Sequence, residues 1–402
     1  MSFSLRKLGR YDFATYLTYI SYSSCSVIVP VVLIEIARTL NFPLESGGQG
    51  AGGALQIGRS LFMVLAMIFC GFAAGRWGKR ATIGTSVILM GLGIGIAAVA
   101  PSYGIIFLAL AVAGFGEGII EGLATPVIQD LHEDDEPSRY INFGHGFWSI
   151  GIVMMTLLVG ALLNLKVDWR YILAGVALFA MLPALMFLLP DKKVVFKKEK
   201  VDFATVWSHS VATMKTGRFW LFFVLMFLGG GAEFGLTFWA SSFVRMTFHS
   251  TPMQGAMATL IFSIGMIIGR LGAAVVVPQK YLFQMLLSTA TLGIIAGALL
   301  PFAPSLWAAY GLFLILGLAC SALWPSTQSY CTDRMPFLDS TVVYIILSCA
   351  GTPGCGIMTW LLGKCGDSFS LRWSILLAPL TLVFFVALLL IERFRWQEKK
   401  AQ

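Results

Sequence analysis

Residues 103–128 read YGIIFLALAVAGFGEGIIEGLATPVI. A helix needs about 20 consecutive apolar residues to cross the hydrocarbon core of a bilayer, and this run is long enough to do so. Two acids, Glu117 and Glu121, interrupt the apolar residues. Because a charged side chain at that depth is costly, acids within a span are candidates for a function. The stretch therefore predicts a transmembrane helix that carries functional carboxyl groups.

The rest of the chain repeats this apolar pattern. Of its 402 residues, 57% are hydrophobic and only 12% are charged, with a mean hydropathy of +0.82. Soluble domains carry about 25% charged residues, so a lipid environment is indicated. The predicted fold is an all-α membrane protein with twelve transmembrane helices. The apolar segments lie at 12–38, 54–75, 81–100, 103–128, 141–163, 169–189, 218–246, 254–276, 281–301, 305–328, 338–361 and 372–392.

The positions of the basic residues predict the orientation. If the amino terminus is cytoplasmic, 20 of the 28 Lys and Arg residues fall in inner segments, and the outer loops carry only Lys166, Arg170, Lys364 and Arg372. Membrane insertion favours positive charge inside. We therefore expect a multi-pass protein of the cytoplasmic (inner) membrane with both termini in the cytoplasm. The net charge of +8 is spread over helix ends, so lipids and no nucleic acid are the expected partners.

A long polar stretch near mid-chain, Asp191 to Lys215, predicts the domain organisation. We expect an N-terminal six-helix bundle at 1–190, a cytoplasmic linker at 191–217 and a C-terminal six-helix bundle at 218–402. The two bundles should be pseudo-symmetric, because residues 168–173 (DWRYIL) and 371–376 (LRWSIL) echo each other. Such repeats are typical of transporters in which two bundles rock about a solute near the midplane.

Enzyme chemistry and metal binding find no support in the sequence. The seven cysteines are scattered without the paired spacings of zinc or redox sites. The acidic segment from Asp130 to Glu136 is interpreted as a charged, solvated loop that can pair with basic loops of the other half. Phosphate-binding glycine loops and nucleophile elbows are absent from the sequence. We expect no enzyme, no cofactor, no metal and no catalytic residues.

Residues 71–80 read GFAAGRWGKR, between the second and third predicted spans. This segment resembles the G-x-x-x-D-R-x-G-R-[KR] motif of the major facilitator superfamily. The resemblance implies that the glycines allow close helix packing and that the basic residues anchor a cytoplasmic turn against a neighbouring helix end. Gly75 stands at the acidic position, so a salt bridge from that acid is not expected.

A narrower resemblance is to the fucose permease-like proton symporters. Residues 116–126 (GEGIIEGLATP) are similar to their G-x-G-x-x-E-x-x-x-N-P pattern, and residues 141–151 (INFGHGFWSIG) to their L-N-x-x-[HQ]-x-F-x-G-x-G. Gly231-Ala232-Glu233 with Trp239, and Trp324-Pro325-Ser326, look like that group as well. The resemblance places Glu121 on the proton-linked glutamate. Ser26 stands where the fucose permease has an aspartate, so fucose itself is not inferred.

Glu117 and Glu121 are the candidates for proton coupling. Their i, i+4 spacing puts them on one face of a helix, roughly 6 Å apart. Repulsion and burial both favour the neutral form of a carboxyl group, so at least one of the two can carry a proton. Glu121 is preferred, on the resemblance. The alternative for either acid is a structural pair with a basic or backbone partner.

The remaining candidates would bind the solute. Several of them have a second interpretation. The tryptophans could face lipid or pack between helices, and His145 could form a packing hydrogen bond. Glu233 could cap a broken helix at the glycine-rich segment, and Glu35 or Glu45 could neutralise Arg59. Tyr19 and Tyr22 belong to a polar stripe on the first span, with Thr15 and Ser26, that is expected to line a cavity. The predicted solute-binding residues are Glu233, His145, Asn142, Tyr19, Tyr22, Trp148, Trp239, Trp324, Gln328 and Arg59.

Together these features predict a monomeric secondary active transporter. It would carry a sugar or sugar-like small polar solute with protons, by alternating access. One alternative is an exporter or exchanger of an organic anion, for which Arg59 is the motivating residue. The other is a receptor that binds a solute without moving it.

Overall fold

The computed structural model describes residues 8–132, 137–189 and 203–397, with side chains at most of these positions. Across these ranges the secondary structure is helical, without β-strands. Twelve stretches are long and apolar enough to span a membrane, as the sequence predicted. The helices are α1 (Arg10–Thr39), α2 (Gln49–Trp77), α3 (Lys79–Ala98), α4 (Tyr103–Leu131), α5 (Pro137–Asn164), α6 (Trp169–Leu188), α7 (Phe203–Lys215), α8 (Gly217–Phe248), α9 (Pro252–Val276), α10 (Leu282–Leu299), α11 (Leu306–Cys320), α12 (Leu323–Arg334), α13 (Ser340–Phe369), α14 (Leu371–Ser374) and α15 (Leu377–Gln397).

Three features of the helices were not fixed by the predicted spans. Helix α7 lies within the stretch assigned to a linker, where residues 191–202 are outside the described part of the chain. The tenth span consists of α11 and α12, with a break at Ser321 and Ala322. Helix α8 is continuous through its glycine-rich segment, so capping of a broken helix by Glu233 is not observed.

The contacts within the chain form two compact units. Unit 1 comprises Met1–Leu40 and Gly58–Val201, and unit 2 comprises Asn41–Ile57 and Asp202–Gln402. The boundary between Ile57 and Gly58 falls inside helix α2. Unit 2 therefore includes the first residues of that helix, and the Asp367 carboxylate of α13 accepts hydrogen bonds from the backbone N–H groups of Gln49 and Gly50.

In unit 1, glycines on α4 allow a close approach to α2. A side chain at Gly114 would meet the backbone of Arg59, one at Gly118 would meet the backbone of Met63, and one at Gly122 would meet the Cys70 sulfur. This stripe at intervals of four residues is a common way for membrane helices to pack closely. It fixes the height of Arg59 relative to the acids of α4.

The outer face of α2 is apolar. Leu61, Leu65, Ile68 and Phe72 recur at intervals of three or four residues and are 45–69% exposed. In water such a stripe would be unfavourable, whereas lipid covers it at no cost. In contrast, α1 is almost wholly buried, including its polar stripe of Thr15, Tyr19, Tyr22 and Ser26.

The turn between α2 and α3 carries the basic end of the motif in residues 71–80. Gly78 has φ +85°, a backbone conformation that residues with a side chain rarely adopt. Lys79 Nζ donates to Asp130 Oδ2 at the end of α4, over 2.9 Å. The basic turn thus contacts a neighbouring helix end, as the family resemblance implied. Asp130 pairs within its own unit, so the expectation that it pairs with the other half is corrected, and residues 133–136 lie outside the described part of the chain.

Candidate functional site

Three polar side chains from three helices of unit 1 meet at membrane depth. The hydroxyl groups of Tyr19 (α1) and Thr125 (α4) are 3.2 Å apart, and Thr125 Oγ1 is 3.2 Å from Nε2 of His145 (α5). The Tyr19 hydroxyl is 3.5 Å from the same histidine nitrogen, and the two rings pack with centroids 4.8 Å apart. Tyr19 is buried, while His145 is exposed. The cluster is therefore fixed on one side and open on the other.

Glu121 lies one helical turn before Thr125 on α4. Residues i and i+4 share a helix face, so its carboxyl group projects on the side of the polar cluster. It is exposed, and it lies within electrostatic reach of Tyr19. Unit 1 thus presents a carboxyl group, an imidazole and two hydroxyls together, a set that can bind solute hydroxyls and exchange a proton.

Glu117, one turn before Glu121, is in a different environment. Its side chain is fully buried, and Nε of Arg59 (α2) donates to its Oε2 over 2.7 Å. Arg59 Nη2 donates to the second oxygen, so the pair is bidentate. Arg59 is only 1% exposed. Its partner is Glu117 rather than either of the acids Glu35 and Glu45 that the sequence suggested, because the α4 glycines bring the two helices together at this height.

In unit 2 a second arginine–glutamate pair joins α8 and α9. Arg270 Nη2 donates to Glu233 Oε1 over 2.9 Å, and the two side chains are 34% and 14% exposed. Arg270 Nε donates to the backbone carbonyl of Ser321, over 3.3 Å. The pairing of Arg270 with Glu233 was not predicted from the sequence.

Pro325 explains why the Ser321 carbonyl is available. In a regular helix this carbonyl would accept a hydrogen bond from the residue four positions later, but proline has no backbone N–H. The tenth span breaks at Ser321, and the guanidinium of Arg270 fills the missing donor position. Proline in the sequence was the signal for this break.

The three candidate tryptophans differ in exposure. Trp148 and Trp324 are half-buried, whereas Trp239 is fully buried and donates its indole N–H to the Thr359 carbonyl over 2.9 Å. Trp239 therefore has the packing environment that was the alternative to solute binding. Trp324 lies against Gly230 and Gly351, where any side chain would collide with the indole ring.

The other candidates are placed as follows. Tyr22 is buried in α1 near Arg59, and Gln328 Nε2 is 3.2 Å from Ser348 Oγ within unit 2. The side chain of Asn142 lies outside the described residues. Among the side chains that are described, no group of three or more His, Cys, Asp or Glu residues is placed to bind a metal ion.

A buried histidine–aspartate contact in unit 1 was not predicted from the sequence. His132 Nε2 is 2.7 Å from Asp12 Oδ1, and the imidazole stacks on the Tyr140 ring with centroids 3.6 Å apart. It was missed because these residues are far apart in the sequence and His132 belongs to a segment that looks solvated. We assign it to the packing of the helix ends.

The model of the Major Facilitator Superfamily matches residues 14–337. This match covers most of the chain and agrees with the twelve helices, so the protein belongs to the Major Facilitator Superfamily, a family of membrane transporters. No curated protein matches the sequence.

Solved structures of transporters are similar over nearly the full length. A bacterial homologue of the human lysosomal transporter Spinster, inward-facing and occupied, has a TM-score of 0.78 at 16% identity, covering 96% of this chain and 97% of the other. The nucleoside transporter NupG gives 0.79 at 15% identity, with coverage of 97% and 100%. A D-xylose–proton symporter gives 0.77 at 13% identity, with coverage of 95% and 96%. The structural similarity shows that this chain shares their fold.

Proposed function

We propose that this protein is a proton-coupled secondary active transporter that imports a sugar or sugar-like small polar solute by alternating access. Membership of a transporter family supports transport in general. The proposal places the protein in the cytoplasmic membrane as a monomer with cytoplasmic termini. The similarity to a sugar–proton symporter is compatible with it, as is the similarity to a nucleoside transporter, whose solute also carries a sugar.

The observation that carries the proposal is the cluster around Glu121 in unit 1. Glu121 is exposed beside Tyr19, Thr125 and His145, whereas Glu117 is enclosed with Arg59. A carboxyl group exchanges protons only where water can reach it, so Glu121 is the proton carrier in this proposal. Glu117 becomes the structural member of the pair. Tyr19 and His145 would donate to or accept from solute hydroxyls next to the proton site.

Unit 2 also contains polar and aromatic side chains that suit a sugar. Glu233 and Gln328 supply polar atoms, and the half-buried indole of Trp324 supplies an apolar face for the C–H surface of a sugar ring. Trp239 is left out, because its ring has no exposed surface and its N–H is already bonded to Thr359.

Coupling follows from the charge of Glu121. A carboxylate at membrane depth is costly, so a transporter with Glu121 ionised and no solute would reorient slowly. A proton on Glu121 removes this cost and allows the loaded protein to change conformation. Downhill proton entry then drives uphill solute entry.

Uptake into proteoliposomes tests the proposal. Radiolabelled hexoses, pentoses, hexuronates and nucleosides are offered with and without an inward proton gradient. We expect at least one solute to accumulate only with the gradient, and Glu121→Gln to abolish accumulation while still exchanging solute at equilibrium. Glu35→Gln, which removes the same charge elsewhere in unit 1, should behave like wild type. Gradient-driven accumulation that survives in Glu121→Gln would remove this residue from the mechanism.

The alternative of an organic anion exporter rested on Arg59. That guanidinium is only 1% exposed and bidentate with Glu117, so a solute cannot reach it without opening the structure around the ion pair. A receptor that binds without transport would show saturable solute binding and no uptake in the same proteoliposomes.

A further inference from the structure

The guanidinium of Arg270 is only partly used by the protein. An arginine has five N–H donors. Nε–H is bonded to the Ser321 carbonyl and one Nη2–H to Glu233, and the other N–H groups have no acceptor within the described residues. With 34% of the side chain exposed, these donors are accessible. An accessible arginine inside a membrane span, with donors to spare, is equipped to bind an oxyanion.

Glu233 is incompletely satisfied in a different way. Its Oε1 accepts from Arg270, whereas its Oε2 is buried without a hydrogen-bond partner in the described part of the structure. A buried carboxylate oxygen without a donor is costly. A proton on the carboxyl group lowers that cost, and loss of the Arg270 partner would increase it. A ligand that takes Arg270 away from Glu233 would therefore favour the protonated form of Glu233.

We propose that Arg270 binds a carboxylate group of the transported solute and that Glu233 takes up a proton when the solute displaces it. This inference rests on the proposed function and narrows the solute to a sugar acid or similar hydroxylated carboxylate. The planar guanidinium of Arg270 suits a bidentate contact with a carboxylate. Gln328 and Trp324 of the same unit remain available to the hydroxylated ring of the solute.

Charge balances in each half of the cycle. On entry, the Arg270–Glu233 ion pair is replaced by an Arg270–solute ion pair, and a proton from the outer solution binds Glu233. At this pair, one solute anion and one proton move together across the membrane. The proton on Glu121 in the proposed function is additional, so one anion crosses with two protons. On release, Glu233 loses its proton to the cytoplasm, and the protein's own ion pair reforms as the solute anion leaves. Because Glu233 is protonated in the loaded state, no unpaired negative charge remains inside the membrane.

Among the described residues, one further titratable group interacts with the pair. Cys320 at the end of α11 lies within electrostatic reach of both Glu233 and Arg270. Trp324 of α12 lies against Gly230, one turn before Glu233 on α8. We expect pH-dependent binding here to follow Glu233, so Cys320→Ser serves as the control that leaves the ion pair unchanged.

Binding by the purified full-length protein tests this inference with matched probes. The probes are D-glucuronate and D-galacturonate, each compared with its neutral hexose, measured by calorimetry at several pH values. We expect a hexuronate to bind more tightly than its hexose and more tightly as the pH falls. Arg270→Gln should weaken hexuronate binding about 10- to 100-fold, as expected from the loss of charge-assisted hydrogen bonds, and Arg270→Lys should weaken it less. Glu233→Gln should bind hexuronate independently of pH.

Three results would overturn the inference. Equal hexuronate affinity in wild type and Arg270→Gln would exclude Arg270 as the carboxylate site. Hexuronate binding that keeps its pH dependence in Glu233→Gln, or loses it in Cys320→Ser, would exclude Glu233 as the proton acceptor. Proton-driven uptake of neutral hexoses without any hexuronate binding would refute this inference and leave the proposed function intact, whereas the absence of proton-driven uptake for every solute would refute the proposed function.

Discussion

Each unit contains an arginine–glutamate pair within its membrane spans, and the two pairs are built differently. In unit 1, Arg59 and Glu117 are 1% and 0% exposed, and two hydrogen bonds join them. In unit 2, Arg270 and Glu233 are 34% and 14% exposed and share one hydrogen bond. The same residue types therefore form a closed structural pair in one unit and an accessible pair in the other. Both pairs lie within membrane spans, so their different exposure is what identifies Arg270–Glu233, and not Arg59–Glu117, as the functional candidate.

The largest expected effect comes from breaking the closed pair. Glu117→Gln leaves the buried Arg59 without a compensating charge, and removal of one partner from a buried ion pair typically costs about 3–5 kcal/mol. We expect a marked loss of thermal stability in detergent. The double variant Arg59→Met, Glu117→Leu removes both charges and should recover most of that stability. If Glu117→Gln unfolds at the wild-type temperature, the pair is not the structural element described here.

A smaller effect is expected from the accessible pair. Glu233→Gln keeps the shape of the side chain and removes a single, partly exposed ion pair, so its stability should change by no more than about 1 kcal/mol. The measurement is thermal unfolding beside Glu117→Gln under identical conditions. A loss in Glu233→Gln as large as that in Glu117→Gln would show that both pairs are structural.

The sequence predicts the spans well because span length follows from bilayer thickness. All twelve apolar segments correspond to stretches that are long and apolar enough to span a membrane, with ends that differ by up to eight residues. The segment at 203–215 was not recognised as a helix, because its polar residues, including Ser208, His209 and Ser210, fall inside a basic stretch that looks like a linker. The break in the tenth span could have been predicted from Pro325, whose missing N–H frees the Ser321 carbonyl.

The candidate site is less predictable than the fold. The sequence singled out the acids Glu117, Glu121 and Glu233 because carboxyl groups in apolar runs are unusual. It could not tell that Glu117 is enclosed while Glu121 is exposed, since their difference depends on Arg59 of another helix. Thr125 was overlooked, although its position one turn after Glu121 was a usable signal. Pairings between residues of distant helices depend on how the helices pack, and this packing cannot be read from a single sequence.

The most direct test of the account is to observe which carboxyl groups change protonation. Infrared difference spectra of the protein in lipid, recorded between acidic and neutral pH, report the C=O absorption of protonated carboxyl groups. The account predicts a pH-dependent C=O absorption with one component that disappears in Glu121→Gln and persists in Glu35→Gln. A spectrum that is unchanged in Glu121→Gln would show that the exposed acid of unit 1 does not exchange protons, and would contradict the proposed mechanism.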